Sequence, residues 1–232
     1  MDTPKIIFED DSLLVLNKPG GWIVNEAGTT KNQPVVQTWL KENFKYPLIG
    51  NYEARDGIVH RLDKETSGVL LVAKTLESFT ELQRQFKERV VEKSYIALAH
   101  GLVEPKEGEI KAPVGRLPWR RDRFGILPGG RDSQSFYKVK EYFKDYTLIE
   151  MFPKTGRTHQ IRIHLKYIGH PIVADNFYAG RKTSRKDRMW CPRLFLHAFH
   201  IKFMHPVTKE FIEFDAPLSE DLNSVLSTLS KS

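Results

Sequence analysis

The chain predicts an α+β fold with a mixed, mainly antiparallel sheet flanked by helices and loops. Three observations carry this: short β-rich segments joined largely by turns, amphipathic helices scattered among them, and no strand-helix-strand rhythm of the kind that builds a parallel sheet.

Residues 5–8 and 12–16, KIIF and SLLVL, flank the turn EDDS as a hairpin, which NKPGG ends with turn residues. Pro34 opens QPVVQTWLKENF, where apolar residues at 35, 36, 39, 40 and 44 have the spacing of an amphipathic helix. Residues 69–73 form a short buried strand. TLESFTELQRQFKER puts Leu76, Phe79, Leu82 and Phe86 on one stripe, with Thr75 as N-cap and Glu77 in the first turn, and so predicts a helix. Strands follow at 93–101, 135–143 and 146–152. Between them residues 112–134, rich in Gly, Pro and Arg, predict a loop that is long for an idle connection. In QIRIHLKYIG, Ile161, Leu165 and Ile168 recur at helical spacing before the stop at Gly169-His170-Pro171. Residues 195–203 and 210–214 flank MHPVTK as a second hairpin. A terminal helix, capped at Ser219 with Glu220 and Asp221 in its first turn, turns Leu222, Val225, Leu226 and Leu229 inward. No internal repeat or low-complexity linker interrupts this order.

At 232 residues, 40% apolar and 28% charged, the composition is that of a globular protein able to bury a sizeable core. The start MDTPKIIFEDDS lacks a signal peptide's basic start, apolar core and cleavage site, and no apolar run approaches the roughly 18 residues of a membrane span. A cytoplasmic location, or an organelle interior, is expected. The single cysteine, Cys191, excludes an internal disulfide framework and any multi-cysteine zinc site.

The net charge of +7 is unevenly spread. Between Lys154 and Pro206 lie eleven Lys or Arg against two acids, Asp175 and Asp187, a net of +9 that leaves about −2 for the remainder. A concentrated positive segment favours a polyanionic partner, since each cation near a phosphate releases condensed counterions.

Familiar catalytic constellations are missing: there is no GxxxxGK[ST], HExxH, GxSxG or strand-borne GxGxxG. Eight histidines raise a metal hypothesis, but the offsets of five and six residues between His159, His164 and His170 do not stack on one helical face. What remains are isolated groups at element boundaries: Arg61 and Asp63, Tyr95, and the segment Arg157 to Arg162. Taken singly, an Asp beside an Arg is usually a surface ion pair, and a strand Tyr is usually core.

Together they resemble a known family, the RluA-type RNA pseudouridine synthases. The family signature HRLDxxTSG stands here as HRLDKETSG, residues 60–68. Four further blocks agree in order: LLVLNKPGG near the start, EKSYIALAHG at 92–101, GRTHQIRIHL at 156–165 and RLFLHAFHIKFMHP at 193–206. The resemblance spans nearly the whole chain.

It implies a pseudouridine synthase fold around a central RNA-binding cleft, and residues 1–232 as one catalytic domain without a separate N-terminal RNA-binding domain. It also implies conversion of uridine in structured RNA, ribosomal or transfer, to pseudouridine, with no cofactor and no metal. Such a reaction needs a nucleophile for the anomeric carbon or the pyrimidine ring, a role an ionised carboxylate fits. By the resemblance, Asp63 is that carboxylate. Arg162 holds it ionised through a charge-assisted hydrogen bond, and Tyr95 packs on the target base. The target base must be flipped out of the RNA, at a cost of a few kcal/mol. Arg61 resembles the residue that fills the vacated space. Further candidates for RNA contact are His60, Arg116, Arg120, Arg121, Arg157 and His159, with Trp119 and Phe124 available for stacking. The partner is then RNA, with no membrane, and a monomer is the expectation. The alternatives are a non-catalytic RNA-binding protein on the same scaffold, which would release no tritium from uridine labelled at ring carbon 5, and a metal-dependent enzyme, which EDTA would stop. Departures after NKPGG (WIVNEAGTTKNQPVVQTWL) and at 179–193 (AGRKTSRKDRMWCPR) bear on which RNA is the substrate rather than on the chemistry.

Overall fold

Strands form where apolar residues run together or alternate, and helices where they recur every third or fourth position. The computed structural model describes residues 2–30 and 32–230, apart from the side chains of residues 121 and 122. In chain order the elements are β1 (Lys5–Glu9), β2 (Leu13–Lys18), α1 (Val36–Asn43), β3 (Ser67–Ala73), α2 (Leu76–Glu88), β4 (Glu92–His100), β5 (Glu107–Lys111), β6 (Val114–Leu117), β7 (Arg120–Ile126), β8 (Gln134–Phe143), β9 (Tyr146–Pro153), α3 (Gln160–Tyr167), α4 (Arg181–Asp187), β10 (Leu196–Met204), β11 (Phe211–Asp215) and α5 (Glu220–Ser227). Among the described residues no helix is long and apolar enough to cross a membrane.

The chain divides into two compact units, Met1–Lys93 with Ala198–Pro217, and Ser94–His197 with Leu218–Ser232. In the first, strands run in the order β1-β2-β3-β10, with β11 on β10. The pairings β1 with β2, β2 with β3 and β10 with β11 are antiparallel. All seven residues of β3, SGVLLVA, are buried, which is why residues 69–73 are continuously apolar rather than alternating. Both expected hairpins form.

In the second unit the order is β4-β9-β8-β5, again antiparallel in β4 with β9, β8 with β9 and β5 with β8. Here β9 alternates strictly between buried and half-buried residues, the mark of a strand with one face on the core. That core gathers Leu98, Ile149, Phe195 and Leu222, so α5 docks its Leu222 and Val225 as the sequence leads one to expect.

Several local expectations are corrected. Residues 112–134 are not a loop throughout: they hold β6 and β7, paired from Val114 opposite Ile126 to Leu117 opposite Arg120. Arg116 lies opposite Phe124 with its guanidinium 4.8 Å from the ring centre, so a cation-π contact stands in for the β-branched pair that sequence patterns look for. The inward face of α2 carries Ser78, Leu82 and Gln85, while Leu76 is exposed. Gln85 earns no core volume but accepts from Met204 N at 2.9 Å and donates to Met204 O at 2.8 Å, satisfying backbone at the end of β10. Thr75 does cap α2, accepting from Ser78 N. Ser219 stands at the N-cap of α5 without a capping side-chain bond, and its hydroxyl accepts from Arg193 instead.

Candidate active site

The signature segment lies in the first unit. Thr66 N bonds to Asp63 O at 3.1 Å, so HRLDKET closes as a turn directly ahead of buried β3. Arg61 is exposed, Leu62 is buried, and Asp63 after them is half-buried. Two devices fix the turn. Gly68 has φ +112, and a Cβ there would stand 2.1 Å from Ala198 O, so only glycine lets β3 approach β10 at this point. Lys18, fully buried, donates its amine to the carbonyls of Pro19 (2.9 Å), Trp22 (2.9 Å) and Lys64 (3.3 Å). Gly21 N reaches Lys64 O as well, at 2.8 Å. The NKPGG block thus grips the residue that follows Asp63.

His60, expected among the RNA contacts, is engaged inside the protein. Its Nε2 accepts from Leu71 N at 2.9 Å, and its ring stacks on Phe86 with centroids 4.9 Å apart. Burial and the positive charge of Lys93 pull its pKa down to about 3, so it stays neutral and serves β3 as an acceptor. Lys93, whose amine lies 5.3 Å from the centre of the Phe86 ring, is itself pulled down to about 8 by burial.

The other candidates lie in the second unit. Tyr95 sits half-buried on β4, opposite Met151 of β9, against the core. Arg162 is buried on α3 and forks onto Asp175, Nε to Oδ2 and Nη2 to Oδ1, both at 2.8 Å. Its guanidinium also lies over the rings of Phe177 and Tyr178, 5.3 and 5.1 Å from their centres. Asp175 in turn accepts from Phe177 N (2.8 Å) and Tyr178 N (3.1 Å). Sequence reading missed Asp175, although it counted it: it is one of only two acids in the basic segment. The other, Asp187, is also buried, accepting from Ala174 N at 2.8 Å and lying 3.0 Å from His100 Nε2. Both acids are consumed internally, so the surface of that segment is more positive than its net charge.

His159 joins this neighbourhood, with Nδ1 2.8 Å from the Tyr178 hydroxyl and its ring among Phe124, Phe177 and Tyr178. Arg116, stacked on Phe124, belongs to the same group, and Arg120 is exposed on β7. Arg157 reaches Asp132 O at 3.3 Å. The side chain of Arg121 lies outside the described residues. Of the eight histidines, seven are seen in hydrogen bonds to protein groups, and among the described residues no three His, Cys, Asp or Glu are grouped to hold a metal ion.

Residues 12–167 match the family model described as RNA pseudouridylate synthase. This chain belongs to that family. It is 36% identical over 232 residues to ribosomal large subunit pseudouridine synthase D of Pasteurella multocida, covering 97% of this chain and 70% of that protein. It is 39% identical over 226 residues to an uncharacterized RNA pseudouridine synthase, YlyB, of Bacillus subtilis, covering 97% of this chain and 73% of that one. Among solved structures, human RNA pseudouridylate synthase domain containing 1 superposes with a TM-score of 0.77 at 27% identity, over 99% of this chain and 89% of that one. The α+β fold read from the sequence is therefore that of the RNA pseudouridylate synthases, and the protein is an enzyme that isomerises uridine in RNA.

Proposed function

We propose that this pseudouridylate synthase acts on large-subunit ribosomal RNA, with Asp63 as its nucleophile. The similarity to ribosomal large subunit pseudouridine synthase D proteins across 97% of the chain is the observation that carries the substrate. The unbroken HRLDKETSG, held by Gly68 and by the buried amine of Lys18, supports the nucleophile. A carboxylate on a pinned turn is oriented before substrate arrives, which is what covalent catalysis asks of a weak nucleophile.

In this reading the Asp63 carboxylate attacks the anomeric carbon or the pyrimidine ring, and the bond from ring nitrogen 1 to the ribose breaks. The base turns, a bond from ring carbon 5 to the ribose forms, and the bond to Asp63 breaks with its electron pair returning to the carboxylate. The proton on carbon 5 leaves, and nitrogen 1 gains one, so the product is an isomer. Tyr95 packs on the base, and Arg162 is the cation that keeps a carboxylate ionised. Arg61, with Arg116, Arg120, Arg121, Arg157 and His159, contacts RNA, while His60 supports the turn from behind. Residues 1–232 work as one catalytic domain, a reading supported by the family match running through both compact units, and they act as a monomer without metal.

Mapping pseudouridines in total RNA with and without the gene tests the substrate. Loss of one or more sites in large-subunit ribosomal RNA, restored by the wild-type gene and not by Asp63→Asn, is the expected result. Sites lost only from transfer RNA would overturn it.

A further inference from the structure

One pocket in the second unit, of about 290 Å³, is built from the β6 and β7 hairpin, the end of α3 and the segment after Asp175. Its walls are apolar and aromatic, with Phe124, Ile163, Tyr167 and Phe177 among them. Among the described residues, Arg123 and Lys166 are the charged ones that line it, and no acid does. Neither Asp63, Tyr95 nor Arg162 lines it.

We propose that this pocket takes an unpaired base of the RNA substrate, other than the uridine that is isomerised, with the neighbouring phosphates held by Arg123 and Lys166. The proposal rests on the RNA-modifying reading above. Three observations point to this occupant. The volume lies near the lower end of the roughly 300 to 1,000 Å³ usual for ligand sites, which fits one base rather than a longer apolar segment. Its aromatic wall includes one ring kept well out of burial, Tyr167 at 59% exposure, and a base has a π-face to lay on such a ring. The rim is cationic: Arg123 donates to Phe177 O at 2.9 Å with its guanidinium 5.4 Å from the Phe177 ring centre, and Lys166 donates to Tyr178 O at 3.1 Å. Both side chains are oriented at the pocket by the carbonyls they bond, the arrangement that suits a phosphodiester flanking a stacked base.

Tyr167, exposed at the end of α3, is the residue to change, since its removal leaves the core intact. Fluorescence anisotropy of the full chain with labelled decauridylate, and with an abasic ribose-phosphate decamer of equal charge, separates stacking from charge. Tyr167→Ala is expected to weaken decauridylate binding by about tenfold and leave the abasic decamer unaffected, while Tyr167→Phe binds both as wild type does. In tritium release from labelled ribosomal RNA, Tyr167→Ala should raise KM and spare kcat. Unchanged decauridylate binding by Tyr167→Ala, or an equal loss on both decamers, would overturn the pocket. A wild-type protein that releases no tritium from ribosomal RNA would instead sink the substrate reading, leaving the two-decamer comparison to stand by itself.

Discussion

Arg162 and Asp175 meet in a buried two-point fork, with both N···O distances at 2.8 Å and Asp175 fixed from behind by Phe177 N and Tyr178 N. A planar guanidinium so held has one orientation, which a lysine could not reproduce. Removing the carboxylate leaves much of a buried cation uncompensated. Asp175→Ala is therefore expected to lose about 3–5 kcal/mol of stability by urea denaturation and to depress tritium release even where the fold survives. A variant as stable and active as wild type would remove Asp175 from the account.

Gly68 is the point at which the signature turn depends on backbone shape. Gly68→Ala should cost more than about 1 kcal/mol, because it forces a Cβ against the Ala198 carbonyl at φ +112. Gly28→Ala is the control: nothing lies within 4 Å of a Cβ there, and stability should hold or rise by up to about 1 kcal/mol. Thermal melts of the two variants check the pair.

His60 is held neutral, with a folded pKa of about 3 against an ordinary value of 6.5. The unfolded chain therefore binds the extra proton first as pH falls. Its contribution to stability is complete above pH 6.5 and declines from there toward pH 3. In NMR titration its ring carbons should show no transition between pH 8 and about 4, the range in which an ordinary histidine titrates. A midpoint near 6.5 would refute the inward role assigned to it.

Asp10 ties the β1–β2 turn to His205. Burial pushes its carboxyl up, but hydrogen bonds from Leu13 N, Ser12 N, His205 and the Ser12 hydroxyl outweigh this and hold it below its ordinary 3.8. A depressed carboxylate stabilises above that value and loses its contribution as pH falls through the folded pKa. Asp10→Asn, which keeps an amide oxygen as acceptor, should flatten the fall of the urea midpoint below pH 4. An unchanged slope would assign the acid sensitivity elsewhere.

What could be read from the chain followed from periodicity. The β1–β2 hairpin, buried β3 and the stripe of α5 follow from which residues must leave water. The β6–β7 hairpin was hidden because Arg116 and Phe124 pair by charge on ring, and α4, RKTSRKD, has no apolar face to announce a helix. Leu76 misled because α2 spends two inward positions on Ser78 and Gln85. Of the proposed site, Asp63, Tyr95 and Arg162 become candidates through family blocks alone, since singly each reads as ordinary. Asp175 was not, because a partner 13 residues away that joins through tertiary packing leaves no spacing to recognise.

The nucleophile is the central claim, and one exchange of an oxygen for a nitrogen tests it. Asp63→Asn keeps the size of a half-buried side chain and removes only its charge. With ribosomal RNA tritiated at uridine carbon 5, the variant should bind RNA as wild type does and release no tritium above background. Release at the wild-type rate from the folded, RNA-binding variant would contradict the account.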